Sequence, residues 1–252
     1  LVPHLLLGGA MIKFDDLHKD LTNMKFVPFI GEIMVTRWAY EALAVEQFKN
    51  NEFEKHFFEK DKKISEADYR TSFLIPELQA RLKMAERNIS NLENLDKTKK
   101  DLRIIRSELE KLHIDADKPP FEYSSYLTVD NINDDVIEEL QDYLIYLKLH
   151  FLNLGQQASQ EKSNIYQNLI GKEGRDWVRE LKKDHHNNRL SDIVTNANDV
   201  TKMYEANGEL VQKKDPIYMD PRSDFGRAHF YAPVKIFQGY KIDTFWFNFA
   251  AI

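Results

Sequence analysis

The feature that most constrains the fold is a seven-residue apolar repeat in the middle of the chain. Two interleaved series of side chains each recur every seven residues, and charged residues fill most of the positions between them. The repeat consists of Leu95, Thr98, Leu102, Ile105, Leu109 and Leu112. This pattern is typical of about three heptads with one apolar seam. It predicts a helix over 92–113 that packs lengthwise against a second helix, as in an antiparallel helical hairpin or a short coiled coil.

Apolar side chains at spacings of three and four predict further helices on both sides of this seam. The helical ranges predicted are 15–22, 32–50, 73–89, 92–113, 134–170, 174–186 and 189–206. Gly208 is expected to end the last of them. Pro119 and Pro120 exclude a helix through 115–133, and 229–237 has the pattern of a strand, although Pro233 disfavours a central position in a sheet. The fold class predicted is therefore mostly α, with an antiparallel helical hairpin or bundle as its centre.

Composition removes several classes of function. The chain has 252 residues, a formal charge of −6 and no cysteine. An acidic chain without a basic stripe that carries interleaved aromatic residues gives no electrostatic case for nucleic-acid binding. Without cysteine the sequence forms no disulfides, thiolate nucleophiles or cysteine-ligated zinc sites.

The two ends of the chain are apolar and rich in aromatic residues, unlike its charged centre. The first residues lack the basic region of a signal peptide, His4 interrupts their apolar run, and both ends are shorter than the roughly 20 apolar residues of a membrane-spanning helix. The ends are either ordinary core elements or the outer parts of membrane spans. The predicted organisation is an irregular N-terminal flank (1–50), a helical insert (51–220) and an irregular C-terminal flank (221–252), which together form one structural unit.

One cluster has the composition of a metal or hydrolytic site, namely His185 and His186 with Asp184 and Asp192. Adjacent histidines on a helix point about 100° apart, and the HExxH spacing that places two histidines on one helix face is absent. We therefore interpret them as solvated residues at a helix end. A hydrolase that uses His185, His186 and Asp192 remains a minor hypothesis, which metal analysis of the purified protein would test.

Other catalytic motifs are also absent. The chain has no nucleotide-binding GxxxxGK[ST] loop and no GxSxG nucleophile motif. The sequence therefore predicts neither an enzyme active site nor a bound cofactor or metal in this chain.

Aromatic residues on the two flanks carry a further signal. Trp38 and Tyr40 belong to the N-terminal flank and Trp246 to the C-terminal flank. Tryptophan and tyrosine are enriched at membrane–water interfaces, because one part of the side chain is apolar and another forms hydrogen bonds. The alternative is that all three are core aromatics.

The flanks also carry a family resemblance. The N-terminal flank contains Gly8-Gly9, Arg37-Trp38, Tyr40-Glu41-Ala42-Leu43 and Glu46-Gln47-Phe48, and the chain closes with GRAHFYAPVKIFQGYKIDTFWFNFAAI. Over 1–58 and 221–252, these segments resemble the G-subfamily (White-type) ATP-binding cassette exporters with a type-2 permease, in the long form found in Bacteroidetes. The N-terminal segment resembles the region just after the fifth membrane helix, and the C-terminal segment resembles the approach to the sixth, so the chain would be the external loop between them. The helical centre is not covered by the resemblance.

The resemblance implies a location and a function. The chain would be the periplasmic domain of an inner-membrane exporter permease, with membrane-proximal flanks, and would perform no chemistry itself. It would cap the exit of the transport path or dock a periplasmic partner. The implied partners are its own membrane helices, an ATPase domain in the full-length protein and a second permease protomer.

The resemblance also implies candidate residues, which lie at the membrane interface or on the transport path. They are Arg37, Trp38, Tyr40, Glu41 and Trp246. A charge that faces lipid is costly, so Glu41 would face a polar path or the other protomer. The alternative function is a free-standing soluble helical adaptor whose flanks form its own core.

Overall fold

A computed structural model describes residue 9 and the ranges 25–88 and 94–252. The chain is mostly helical, which confirms the prediction of a mostly α fold. The helix predicted over 15–22 lies outside the described residues. The helices are α1 (Phe29–Glu32), α2 (Val35–Lys49), α3 (Phe58–Tyr69), α4 (Ile75–Asn88), α5 (Leu95–Ala116), α6 (Asp134–Glu173), α7 (Arg175–His185), α8 (Asn188–Val194) and α9 (Thr244–Ala251).

The remaining regular structure consists of two small sheets and several short turns. The strands are β1 (Met203–Ala206), β2 (Glu209–Gln212), β3 (Val234–Phe237) and β4 (Tyr240–Asp243). Strand β1 pairs antiparallel with β2, and β3 pairs antiparallel with β4. A π-helical turn at Arg70–Leu74 connects α3 to α4. None of the helices in the described ranges has the length and apolar content needed to cross a membrane.

The chain divides into two compact units. The first unit comprises Leu1–Lys63, Ser159–Thr201 and Lys213–Ile252, and the second comprises Ile64–Ala158 and Lys202–Gln212. The segment predicted as the insert, 51–220, therefore contributes to both units. The first unit contains both of the flanks that the sequence distinguishes.

The second unit is built around the apolar repeat. The repeat lies in α5, where every member is buried except Leu95, which is half-buried. Helix α4 packs against α5 and contributes Leu78 and Leu82 to the same core, while α6 contributes Leu140 and Leu144. Each fully buried leucine stabilises the folded state by about 1.5–3 kcal/mol through removal of apolar surface from water.

The helix predicted over 189–206 is wrong beyond its first two turns. Helix α8 ends at Val194, and 203–206 instead forms β1. Asn207 and Gly208 have positive φ angles of 53° and 77°, as a type I′ hairpin turn requires at both central positions. The Asn-Gly turn therefore determines the local structure, whereas the apolar spacing upstream of it indicated a helix.

The first unit has two smaller apolar clusters. One joins α2 to α8 through Val45, Phe48 and Val194, and the other contains Phe57 and Val178. Helix α9 packs closely along α2. Of the strand predicted over 229–237, only the part after Pro233 is a strand, because proline has no N–H to donate to a partner strand.

Candidate functional site

A network of buried charged and polar side chains lies inside the first unit, where α2 meets the C-terminal part of the chain. Arg37 and Glu41 are one helical turn apart on α2, so they share a face of the helix. Glu41 is fully buried, whereas Leu43, two residues further on, is 63% exposed. Helix α2 thus buries a carboxylate together with apolar residues such as Val45 and Phe48, while a leucine points outward.

Three hydrogen bonds hold the Glu41 carboxylate. Its Oε1 atom accepts hydrogen bonds from Lys235 Nζ at 2.8 Å and from the backbone N–H of Tyr231 at 3.1 Å. Its Oε2 atom accepts a hydrogen bond from Asn248 Nδ2 at 2.8 Å and lies 3.5 Å from Arg37 Nη1. One carboxylate therefore connects α2 to the chain before β3, to β3 itself and to α9.

The electrostatics of the network favour an ionised Glu41. Burial by itself raises the pKa of Glu41, but attraction to Lys235 and Arg37 and hydrogen bonds from Lys235 and Asn248 outweigh it, so the pKa lies below its usual value. Burial lowers the pKa of Lys235, and the carboxylate of Glu41 opposes that effect. The ion pair between Lys235 and Glu41 has no exposed part on either side chain.

Arg37 forms a second layer of the network. Its Nη2 atom lies 3.4 Å from Glu32 Oε1, and its guanidinium carbon lies 3.9 Å from the centre of the Trp38 ring. Trp38 Nε1 donates a hydrogen bond to the backbone carbonyl of Glu32 at 2.8 Å. Burial raises the pKa of Glu32, while attraction to Arg37 acts in the opposite direction.

Three buried atoms of the network lack hydrogen-bond partners within the part of the chain that the structure describes. They are Nε and Nη1 of Arg37 and Oδ1 of Asn248. An unpaired buried polar group costs about 1–3 kcal/mol. The network therefore retains unused hydrogen-bonding capacity beside a fully paired carboxylate.

The structure brings together three of the five candidate residues, since Arg37, Trp38 and Glu41 all belong to the network. Tyr40 is half-buried and packs near the rings of Phe230 and Tyr231, at centroid distances of 6.2 Å and 6.3 Å. Trp246 lies on the outer side of α9 and is 65% exposed, and its ring contacts Phe245 rather than the network.

Sequence reasoning missed Glu32 in the second layer of the network. It also missed two side-chain partners of Glu41 from the other flank, Lys235 and Asn248. Each is a single polar residue inside an apolar segment, VKIF and FWFNFAA respectively. An isolated polar side chain in such a segment is a signal of a buried hydrogen-bonded position. That signal was present in the sequence, although it did not identify Glu41 as the partner.

The outer surfaces of α2 and α9 carry large apolar side chains. Val35 and Leu43 on α2 are 51% and 63% exposed, and Trp246 and Phe249 on α9 are 65% and 66% exposed. Phe29 and Ile33, immediately before α2, are also exposed. The two helices therefore pack against each other and present an apolar surface outward.

The members of the histidine cluster have separate surroundings in the structure. His185 is exposed at the end of α7, and His186 instead pairs through Nδ1 with the carboxylate of Glu54. Asp192 is exposed on α8. No group of three or more His, Cys, Asp or Glu side chains able to hold a metal ion occurs within 25–88 and 94–252.

Comparison with known proteins identifies no relative: no family model, no curated protein and no solved structure matches the chain.

The buried network links separate segments of the first unit through one side chain. Glu41 connects three other parts of the first unit and is inaccessible to solvent, so any proton exchange at its carboxylate requires the network to open.

Proposed function

We propose that this chain is the extracytoplasmic domain of an ATP-binding cassette exporter permease, in which α2 and α9 lie at the surface of the inner membrane. The observation that carries the proposal is the outward apolar surface of these two helices beside an inward network of charges. The resemblance of both flanks to type-2 permeases supports the same assignment.

The energetics of the surface support a location beside lipid. Covering one Val, Leu, Ile or Phe side chain is worth about 1.5–3 kcal/mol, and several such side chains on α2 and α9 are more than half exposed. In this proposal these side chains form one apolar patch, which is typical of a protein or membrane contact. Trp246 has the amphipathic side chain that favours the membrane–water boundary.

In this proposal the domain performs no chemistry itself. It caps the exit of the transport path or docks a periplasmic partner, while the transport cycle is powered by an ATPase domain of the full-length protein. Its other partners are its own membrane helices and a second permease protomer. The Glu41 network fixes α2 to α9, so that the two membrane-proximal segments move together.

Cysteine labelling of the full-length gene product in intact cells tests the location. The sequence of this chain has no cysteine, so a single introduced thiol in it is easily followed. Lys83→Cys, at an exposed position on α4, should react with a membrane-impermeant maleimide in intact cells. Labelling that occurs only after lysis would place the domain in the cytoplasm and refute the proposal.

A second pair of variants tests the lipid contact separately. Leu43→Cys and Gln47→Cys are both exposed positions on α2, one turn apart. In membranes, Leu43→Cys should react at least about tenfold more slowly than Gln47→Cys, because lipid suppresses thiolate formation at an apolar site. Equal rates would show that lipid does not cover Leu43.

The alternative is a free-standing soluble adaptor, and the observation that favours it is the apolar cluster that α2 forms with α8 inside the first unit. Cell fractionation distinguishes the two functions. An adaptor would be recovered in the soluble fraction, whereas the exporter domain would remain with the membranes after a high-salt wash.

A further inference from the structure

A basic cleft in the second unit has no role in the proposed function. Lys99, Arg103 and Arg106 are exposed residues of α5. They are separated by four and three positions, so they lie along one face of the helix. Over seven residues they extend about 10 Å along the helix axis.

The opposite wall of the cleft is the turn at 127–130. Leu127 anchors this turn in the core, and the carbonyl oxygen of Thr128 accepts hydrogen bonds from the backbone N–H groups of Asn131 at 3.2 Å and Ile132 at 3.0 Å. Leu102 contributes to the lining between the two walls, and the cleft has a volume of about 220 Å³. The side chains of α5 therefore face a fixed wall rather than open solvent alone.

Several other basic residues of the second unit form ion pairs. Arg81 on α4 forms ion pairs with Glu77 and Asp101, and Lys111 on α5 pairs with Glu108. By contrast, none of the three cleft cations has an acidic partner among the residues with described positions.

The cleft consequently has a surplus of positive charge. Asp130 also lines it, so the formal charge of its lining is two positive charges. The surplus is notable because the whole chain is acidic, with a formal charge of −6.

We propose that this cleft binds a small multivalent oxyanion of the phosphate-ester type. Arginine side chains present planar pairs of N–H donors that match phosphate oxygens, and two arginines with a lysine can hold more than one negative charge. The volume is below the roughly 300–1,000 Å³ of sites for drug-sized ligands, which limits the ligand to the size of a phosphorylated head group.

A hydroxyl group in the lining supports the same ligand chemistry. The Oγ1 atom of Thr128 is buried and has no hydrogen-bond partner among the described residues. In our proposal this hydroxyl donates a hydrogen bond to an anionic oxygen of the bound ligand. Binding would thereby satisfy a group that is otherwise left unpaired.

Calorimetric titration of the whole purified chain with pyrophosphate and with glycerol 3-phosphate tests the cleft. The test variant is Arg103→Gln/Arg106→Gln. The matched control is Lys83→Gln/Arg87→Gln, which removes the same charge from exposed positions of α4 outside the cleft. We expect the cleft variant to bind at least about tenfold more weakly than the control, because it loses charge-assisted hydrogen bonds worth more than about 1.4 kcal/mol.

Co-sedimentation with phosphatidylglycerol vesicles distinguishes the source of the phosphate. If the cleft variant loses vesicle binding relative to the control, the ligand is a lipid head group; if it loses only the soluble esters, the ligand is a soluble metabolite. Either result supports the site. Equal binding by both variants in both assays, or no binding by the unaltered chain, would overturn it, and neither result depends on the proposed exporter function.

Discussion

Replacing Glu41 by glutamine should destabilise the first unit by about 3–5 kcal/mol, the cost of removing one partner from a buried ion pair. The change keeps the size of the side chain but leaves the ammonium of Lys235 without a counter-ion at a fully buried position. It also places an amide N–H₂ group where the carboxylate accepts hydrogen bonds from Lys235, the Tyr231 backbone and Asn248. The single oxygen of glutamine can accept hydrogen bonds at only one of the two carboxylate positions. At the other position the amide N–H₂ group meets a hydrogen-bond donor.

Tryptophan fluorescence is a specific assay for this change. The chain has three tryptophans, Trp38, Trp177 and Trp246, and all of them belong to the first unit. With a urea m-value of about 2 kcal/mol/M, a loss of 3–5 kcal/mol lowers the unfolding midpoint by roughly 1.5–2.5 M. The matched control is Glu46→Gln on the same helix, whose carboxylate accepts an exposed hydrogen bond from Asn50. Its expected effect is within about 0.5 kcal/mol.

The double variant Glu41→Gln/Lys235→Met separates charge from shape. Removing both charges should recover at least half of the lost stability, because the buried ammonium that Glu41→Gln leaves without a counter-ion is then absent. The reasoning would be refuted if Glu41→Gln unfolded within about 1 kcal/mol of the unaltered chain. It would also be refuted if the double variant were as unstable as the sum of its two single variants.

Three further predictions concern pH, backbone conformation and the second core. Burial lowers the pKa of His229 to about 4, against the opposing effect of its hydrogen bond to a backbone carbonyl, so stability should be full above pH 6.5 and fall as the pH drops toward 4. Urea titrations at both pH values should show a loss of about 2–3 kcal/mol, and a smaller loss in His229→Gln, which keeps an N–H donor. Gly226→Ala should lower the free energy of unfolding more than Gly239→Ala does in the same assay. Both glycines have positive φ, but only at Gly226 would the added Cβ lie 2.5 Å from the Phe247 ring. Gly239→Ala should therefore show only the backbone strain of about 1–2 kcal/mol. Leu140→Ala, at a fully buried site of the second core, should cost about 2–5 kcal/mol when unfolding is followed by circular dichroism.

Much of the helical structure was predictable because its signal is periodic and local. The α5 repeat places its apolar side chains on one face whatever the helix packs against, and the structure buries Leu102 and Ile105 completely. The prediction over 189–206 failed because the turn chemistry of Asn207-Gly208 is also local and, at this position, stronger than the apolar spacing. The Asn207-Gly208 dipeptide by itself predicts the hairpin.

The partners of Glu41 were not predictable in the same way. Arg37 lies one turn away and follows from helix geometry, but Lys235 and Asn248 are separated from Glu41 by about two hundred residues of chain. Such pairings depend on how the flanks fold together, and helix periodicity carries no information about that. The sequence identified the residue in need of a partner, and the structure supplied the partner from the other flank.

The distribution of polarity in the first unit connects these observations. A helix surrounded by water gains stability by turning charges outward, yet α2 buries Glu41 and exposes Leu43. Enclosing the charge requires Lys235, Asn248 and a backbone N–H to replace water, and it consumes polar groups that could have covered the surface. Such an arrangement is favourable if the outward surface meets lipid. Apolar packing between helices has no hydrophobic driving force in lipid, so α2 and α9 must then be joined by other contacts. Hydrogen bonds and ion pairs are contacts that lipid does not weaken.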